Sequence, residues 1–514
     1  MSTTPAPRVR EAFQSRYAFI LAAIGSAVGL GNIWRFPYVA YDNGGGAFMI
    51  PYLIALLTAG IPVLFLDYAI GHRFRGSPPL AYRRMSPRAE VIGWWQVAIC
   101  FIIGIYYAVI VAWAAIYTVL AFTKGWGDDP KTYLFGDFLK VSDTVGVSFH
   151  FVWPIFAVLA LVWLVVLGAL AAGVQKGIAK VSIIFIPLLV LSFLVLVGVA
   201  MTLPGATHGL DALFTPNWEA LKHPTVWVAA YGQIFFSLSV AFGIMITYAS
   251  YLKRKTDLTG SGLVVAFANS SFEILAALGV FAVLGFMSQA ANIPVSEVAG
   301  AGIGLAFVAF PAIINEAGSA GTIIGVLFFA SLVMAGVTSL VSIIEVVVST
   351  VRDKTGWGRV KTTLIVGGAM ALCSLLLFPT TTGLYLLDTS DAFVNNVGIV
   401  GAAIASMVAV TFFMRKLPTL AAHLNRISTF KAGRLWYVVV GGITPAVLIY
   451  LLGSDMWKKA TEGYEGYPAW FNGVFGWGMS AALVLVAFLL SMLPWGEKSA
   501  LHAEQAFDDE EVTA

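Results

Sequence analysis

Apolar runs of about 20 residues, enough to cross the ~30 Å hydrocarbon core of a bilayer as α-helix, recur from Tyr17 almost to the end of the chain. Twelve can be placed, at 17–40, 46–72, 91–122, 151–170, 178–202, 226–252, 260–288, 321–351, 360–378, 384–413, 434–453 and 472–494. Backbone amides and carbonyls find no water in lipid, so only helices and closed barrels can span it. Barrel strands are short and alternate in polarity, whereas these runs are continuous Leu, Ala, Val and Phe. With 59% hydrophobic and 11% charged residues, the chain reads as an all-α, twelve-helix membrane protein.

The charges orient it. Numbered as spans 1 to 12, the runs divide the 30 Lys and Arg residues into 23 on the side of the N-terminus and seven on the other: Arg35, Lys124, Lys131, Lys140, Lys222, Lys458 and Lys459. Positive charge marks the cytoplasmic side, so both termini are expected inside, in a multi-pass protein of the plasma (inner) membrane. The charged N-terminal segment 1–16 leads into a full-length span and needs no cleaved signal. Cys100 and Cys373 fall within spans 3 and 9 and read as small core residues, not a disulfide. Asn269-Ser270-Ser271 matches a glycosylation signal but lies at membrane depth. The outer stretch 289–320 contains AGIGLAFVAFPAIINEAG, too short to cross and suited to a helical lid. Segment 495–514 ends in an acidic, solvated tail.

Within span 1, the stretch GSAVGLGN places three glycines, a serine and an asparagine at mid-membrane, with Arg35 soon after. Each glycine costs about 1 kcal/mol against alanine in a helix, so a break is expected there. Span 6, in YGQIFFSLSVAFGIMITYASY, puts Ser237, Ser239 and Gly243 at a similar depth. Taking 17–202 and 226–413 as two five-span repeats makes these the first helices of each. Five is odd, so the second repeat is inverted, and paired broken helices mark the substrate region of such transporters. Spans 11 and 12, at 434–494, become peripheral.

An unwound helix frees carbonyls suited to a hard cation and amides suited to a carboxylate. In span 8, Ala335, Thr338 and Ser339 share a face, although small-residue faces also serve helix packing. In span 7, Asn269 and Glu273 lie one turn apart, and an acid at membrane depth is functional by default. Asp67 and Glu345 sit nearer the cytoplasmic ends of spans 2 and 8, where backbone capping or pairing with a basic neighbour is the simpler reading. Tyr106, Tyr107, Phe236 and Phe242 are aromatics at depth, a class that mostly packs.

GSAVGLGNIWRFPYVAYDNGGGAFMIPY closely resembles the first two helices of the neurotransmitter:sodium symporter family, and IYY, GQIFFSLSVAFG, ITYASY, AGVTSL and LLDTSDAF resemble its helices 3, 6, 6, 8 and 10. The likeness runs in order from Arg10 to about residue 410, nearest in pattern to bacterial leucine-transporter-like members. It implies a 5+5 inverted-repeat fold with broken helices 1 and 6, and alternating-access symport of a neutral amino acid with Na⁺.

The resemblance also implies sites. One Na⁺ site would use Ala27, Asn32, Ser237 and Asn269 with the substrate carboxylate; a second would use Gly25, Val28, Ala335, Thr338 and Ser339. The family usually carries threonine at Ser237. The substrate carboxylate would meet Leu30, Gly31 and Tyr107. Its amine would meet carbonyls around Ala27, Phe236 and Ser239, and its side chain Ile103, Phe236, Phe242, Ser339 and Ile343. Gly29 stands where monoamine transporters carry aspartate, which fits an amino acid, and Ala241 replaces a glycine, which would shrink the pocket. Arg35 and Asp391 would form an outer gate above Tyr107 and Phe236. Arg10 and Asp353, with Tyr251 and Ser250 nearby, would form an inner one, and Phe13 sits where the family often has tryptophan. Glu273 would replace the chloride that animal members bind near Tyr52, Gln233, Ser237 and Asn269.

The rival readings are a proton-coupled transporter of the same fold and a non-transporting amino-acid sensor. No phosphate-cradling loop or metal-spaced His/Cys cluster supports an enzyme, and no nucleic-acid partner is expected. Oligomeric state is not legible.

Overall fold

The computed structural model describes residues 10–298 and 302–503. The first nine residues of the N-terminal segment, residues 299–301 of the outer stretch and residues 504–514 of the acidic tail lie outside the described residues. Among those described, ten helices are long and apolar enough to cross a membrane: Gly45–Phe74, Pro87–Thr123, Trp153–Ala171, Val174–Ala200, Leu258–Ala291, Ala320–Thr355, Arg359–Leu377, Gly383–Phe413, Arg434–Glu462 and Ala469–Met492. They correspond to spans 2–5 and 7–12. Span 1 is the bent pair Arg16–Ala27 and Leu30–Asp42, whose halves meet at 56°. Span 6 is divided into Pro224–Ser237 and Ile244–Ala249, each too short to cross alone. The chain is an all-α, multi-pass membrane protein broken at spans 1 and 6.

Local chemistry accounts for the helix ends. Ser15 caps span 1, its hydroxyl accepting the Ala18 amide at 3.1 Å, the usual work of a serine N-cap. Pro224 begins span 6 where its missing amide costs nothing. Span 11 runs on to Glu462, past the expected end at residue 453, because GSDMWKKATE continues as helix and Lys459 reaches Asp455 one turn back at 2.5 Å. The short apolar helix expected in the outer stretch is Gly302–Glu316.

Spans 3 and 8 are the most extensively paired helices and form the centre of the molecule. Spans 4, 5 and 12 turn Leu161, Leu164, Leu191, Leu194, Leu485 and Leu489 outward, as lipid-facing surfaces do. Cys100 is buried and both cysteines are free thiols, as the sequence leads one to expect.

Candidate functional site

The break in span 1 is made by redirecting two amides. In a continuous helix the Gly29 and Leu30 amides would serve the carbonyls of Gly25 and Ser26. Here Gly29 donates to Asn32 Oδ1 at 2.9 Å and Leu30 to the Tyr107 hydroxyl at 3.3 Å. The freed carbonyls accept other donors: Ser339 Oγ lies 3.3 Å from Gly25 O and 3.4 Å from Ser26 O, and Ser239 Oγ donates to Ser26 O at 2.9 Å. The redirected bonds therefore join span 1 to spans 3, 6 and 8. Ser26 acts through its carbonyl, a role no side-chain pattern reveals.

Span 6 breaks through strained backbone. Ser239 and Ala241 have φ of 52° and 67°, followed by Gly243 at 91°; the left-handed region disfavours the first two because of their Cβ atoms. Side chains hold the strained peptides. Asp67 Oδ2 accepts the Ala241 amide at 2.9 Å, Gln96 Nε2 donates to Ala241 O at 3.1 Å, and Cys100 Sγ donates to Phe242 O at 3.1 Å. Asp67 thus caps a backbone group, as its place in span 2 suggests. Ala241 does not line the cavity it was expected to shrink, because its left-handed backbone is turned to Asp67 and Gln96.

Between the breaks lies a cavity of about 70 Å³. All ten residues expected around a substrate line it: Ala27, Leu30, Gly31, Ile103, Tyr107, Phe236, Ser239, Phe242, Ser339 and Ile343. Its remaining walls include Tyr106, Asp391, Asn395 and Ile399, which the resemblance did not place there. Its floor is polar backbone and hydroxyl, its far wall aliphatic and aromatic.

Two sets of neutral oxygens flank the cavity. In the first, Asn32 Nδ2 donates to Asn269 Oδ1 at 2.8 Å and Asn269 Nδ2 donates to Ser237 Oγ at 2.7 Å. Three residues of the first expected sodium set are thus joined in one chain, and the fourth, Ala27, lines the cavity with Asn32. In the second, Thr338 Oγ1 lies 3.0 Å from Ala335 O and Ser339 reaches Gly25, while a Cβ at Gly25 would lie 3.1 Å from Thr338 Cβ. Carbonyl, amide and hydroxyl oxygens converging at the ends of broken helices are a donor set that fits Na⁺ and not a soft metal. Behind the first set, buried Glu273 accepts from the Tyr52 hydroxyl and from Gln233 Nε2, the latter at 2.7 Å.

Outside the cavity is a vestibule of about 520 Å³ lined by Arg35, Tyr38, Asp388 and Asp391 among others. Tyr107 and Phe236 line both spaces and stand between them. Arg35 and Asp391 share the vestibule, but among the described residues no ion pair joins them. The Arg35 guanidinium lies 4.6 Å from the Phe236 ring centre, a cation–π contact, and Asp391 Oδ1 accepts from Tyr106 at 2.7 Å and Asn395 at 2.8 Å. Tyr106 is therefore more than packing.

The side of the N-terminus is closed. Arg10 Nη1 reaches the two carboxylate oxygens of Asp353 at 2.9 and 3.1 Å, its Nε donates to Ser250 at 3.1 Å, and its guanidinium lies 5.1 Å from the Tyr251 ring. The Ser77 amide adds a bond to Asp353 at 2.8 Å. Phe13 packs edge-on against Phe19, Tyr248 and Tyr251. A second ionic layer, absent from the sequence reading, joins Glu11 to Arg352 and Arg359 at 2.6 and 3.0 Å, and Arg359 to Glu345 at 2.7 Å. The Tyr251 hydroxyl also donates to Glu345 at 2.6 Å. Glu345 pairs with a basic neighbour, as its position led one to expect.

Comparison with known proteins agrees with this geometry. An uncharacterized sodium-dependent transporter of Methanocaldococcus jannaschii is 40% identical over 488 residues, covering 94% of this chain and 97% of the relative. A sodium- and chloride-dependent glycine transporter 2 of Xenopus laevis is 30% identical across 94% of this chain and 70% of its own length. A sodium-dependent neutral amino acid transporter of Bos taurus is 28% identical across 94% and 79%. The model for the sodium:neurotransmitter symporter family matches residues 10–134 and 126–497. Broken spans, oxygen-lined ends and sequence likeness along nearly the whole chain converge: this protein belongs to the sodium:neurotransmitter symporter family, and is a sodium-dependent transporter, not an enzyme.

Proposed function

We infer that the protein carries a neutral, small to medium hydrophobic amino acid into the cell together with two Na⁺ ions and without chloride. The observation that carries this reading is the cavity itself, where the Leu30 amide and Tyr107 hydroxyl meet across the break of span 1 and face a wall of Ile103, Phe236, Phe242 and Ile343. A helix N-terminus and a hydroxyl suit a carboxylate, and the apolar wall suits an uncharged side chain. Gly29 leaves room for the carboxylate, since a Cβ there would lie 3.1 Å from Ser339 Oγ and 3.3 Å from the Tyr107 hydroxyl. Named functions of relatives, glycine transport and neutral amino acid transport, fall in the same substrate class.

Ala27, Asn32, Ser237 and Asn269 would hold one sodium and Gly25, Val28, Ala335, Thr338 and Ser339 the other. Sodium supplies positive charge beside the substrate carboxylate. A carboxylate shared with the first ion couples the two affinities reciprocally. Glu273, held by Tyr52 and Gln233, supplies the negative charge that makes chloride unnecessary. The closed Arg10–Asp353 pair and the unpaired Arg35 and Asp391 support an outward-facing conformation, with both termini cytoplasmic and the protein in the plasma membrane. Pairing of Arg35 with Asp391 over the filled cavity and parting of Arg10 from Asp353 would then complete the inward step.

Screening the twenty amino acids by scintillation proximity, with and without Na⁺, tests the reading. Na⁺-dependent binding of aliphatic amino acids is expected, independent of chloride and abolished in Asn32→Ala and Thr338→Ala. Uptake into proteoliposomes driven by a pH gradient alone, without Na⁺, would overturn it in favour of proton coupling. Binding without accumulation would indicate a sensor.

A further inference from the structure

Asp67, Gln96 and Cys100 are buried polar residues that neither expected ion site nor the cavity lining includes. All three meet on one short segment. The Ala241–Phe242 pair meets a side-chain acceptor from span 2 and two side-chain donors from span 3: the Asp67 carboxylate on the Ala241 amide, Gln96 on the Ala241 carbonyl and Cys100 on the Phe242 carbonyl. These groups leave both faces of a strained, non-helical peptide satisfied where neither lipid nor water can serve it.

The placement is selective. Gln96 and Cys100 are one helical turn apart on span 3, and the same stripe continues through Ile103 to Tyr107, both of which line the cavity. Phe242, directly attached to the clamped peptide, lines the cavity too. The part of span 6 nearer the first oxygen set is held separately, through Ser237 on Asn269 and Ser239 on the Ser26 carbonyl. The break therefore has two anchored parts, one beside the sodium-type oxygens and one beside the apolar wall.

We propose that Asp67, Gln96 and Cys100 are positioning residues that clamp the Ala241–Phe242 peptide, fix the Phe242 wall, and thereby set the side-chain size the cavity accepts. The size-selection part rests on the reading that the cavity holds an amino acid. A side chain locked by its neighbours discriminates sizes more sharply than one free to move aside. Loosening the clamp admits larger side chains without disturbing the ion ligands.

The test uses the full-length chain in detergent, with alanine and leucine as probes. In Gln96→Leu and Cys100→Ala, the ratio of leucine to alanine dissociation constants falls at least fivefold, while half-saturation by Na⁺ stays within twofold. Cys100→Ser, which keeps a donor, retains the wild-type ratio. Hydrogen–deuterium exchange supplies a readout that needs no substrate: residues 238–243 exchange faster in Gln96→Leu, Cys100→Ala and Asp67→Ala, whereas residues 27–32 do not change. Equal weakening of both amino acids, or unaltered exchange at 238–243, overturns the proposal. A wild type without Na⁺-dependent amino-acid binding overturns the transport reading and its size selection together, and the exchange rates then judge the clamp alone.

Discussion

Replacing Asp353 with alanine removes one end of the buried pair that closes the side of the N-terminus. The pair is well made: Arg10 Nη1 lies 2.9 and 3.1 Å from the two oxygens and the Ser77 amide bonds one of them at 2.8 Å. The side chains of Arg10 and Asp353 are 4% and 7% exposed. Breaking a buried pair by removing one partner costs about 3–5 kcal/mol. The lower figure applies, because Arg10 keeps Ser250 and the face of Tyr251. At ~1.4 kcal/mol per tenfold, the inner-closed state loses roughly 100-fold in relative population. Where inward-open molecules are about 10% of the wild type, they become the majority in the variant, and outward-facing molecules fall below about a tenth. The apparent dissociation constant for the amino acid then rises roughly tenfold, because affinity scales with the competent fraction. Saturating Na⁺, if it binds the outward form preferentially, recovers most of the loss. Equilibrium binding of radiolabelled amino acid at low and saturating Na⁺ reads both effects. A well-folded Asp353→Ala protein with a dissociation constant within twofold of wild type at low Na⁺ would refute the reasoning.

Gly31→Ala tests the lid. A methyl there would lie 2.2 Å from Phe236 Cε1, so the ring must leave its place under Arg35; at about 1–3 kcal/mol for such overpacking, amino-acid affinity falls some 5- to 100-fold with little change in melting temperature, and wild-type affinity would contradict this. Acid tests the second ionic layer through Glu11. Burial raises the pKa of this carboxyl, but Arg359, Arg352 and the Val174 amide outweigh it and hold it below its ordinary 4.5. A depressed carboxylate contributes fully above its ordinary value, and the contribution is lost as pH falls through the lowered one. Melting temperature is therefore expected to hold from about pH 7 to 5 and to fall further below pH ~4.5 in wild type than in Glu11→Gln; identical acid limbs would exclude the effect.

The spans and both breaks are legible in the chain because their causes are local. Apolar length, glycine and serine within a span, and a proline at a helix start all act within a few residues, and the charge bias needs only a count by side. Helix ends answer to more than apolar length: the extra turns of span 11 depend on helix propensity and an i,i+4 pair beyond the apolar run. The family resemblance brought the cavity residues together on paper, and all ten line one space. It did not foresee Tyr106 and Asn395 holding Asp391 while Arg35 lies on Phe236, since which of several nearby partners a charge takes depends on side-chain geometry.

By itself, then, the sequence determined an all-α membrane protein with twelve apolar runs, a bias of positive charge to the side of the N-terminus, two weakened helices and a sodium-symporter pattern. Tertiary structure alone decided how the weakness is satisfied. Asn32 meets Asn269 across 237 positions of chain, Ser239 meets the Ser26 carbonyl across 213, and Cys100 meets Phe242 across 142. A broken helix in lipid must find partners for its freed backbone, and those partners come from helices that only folding brings alongside.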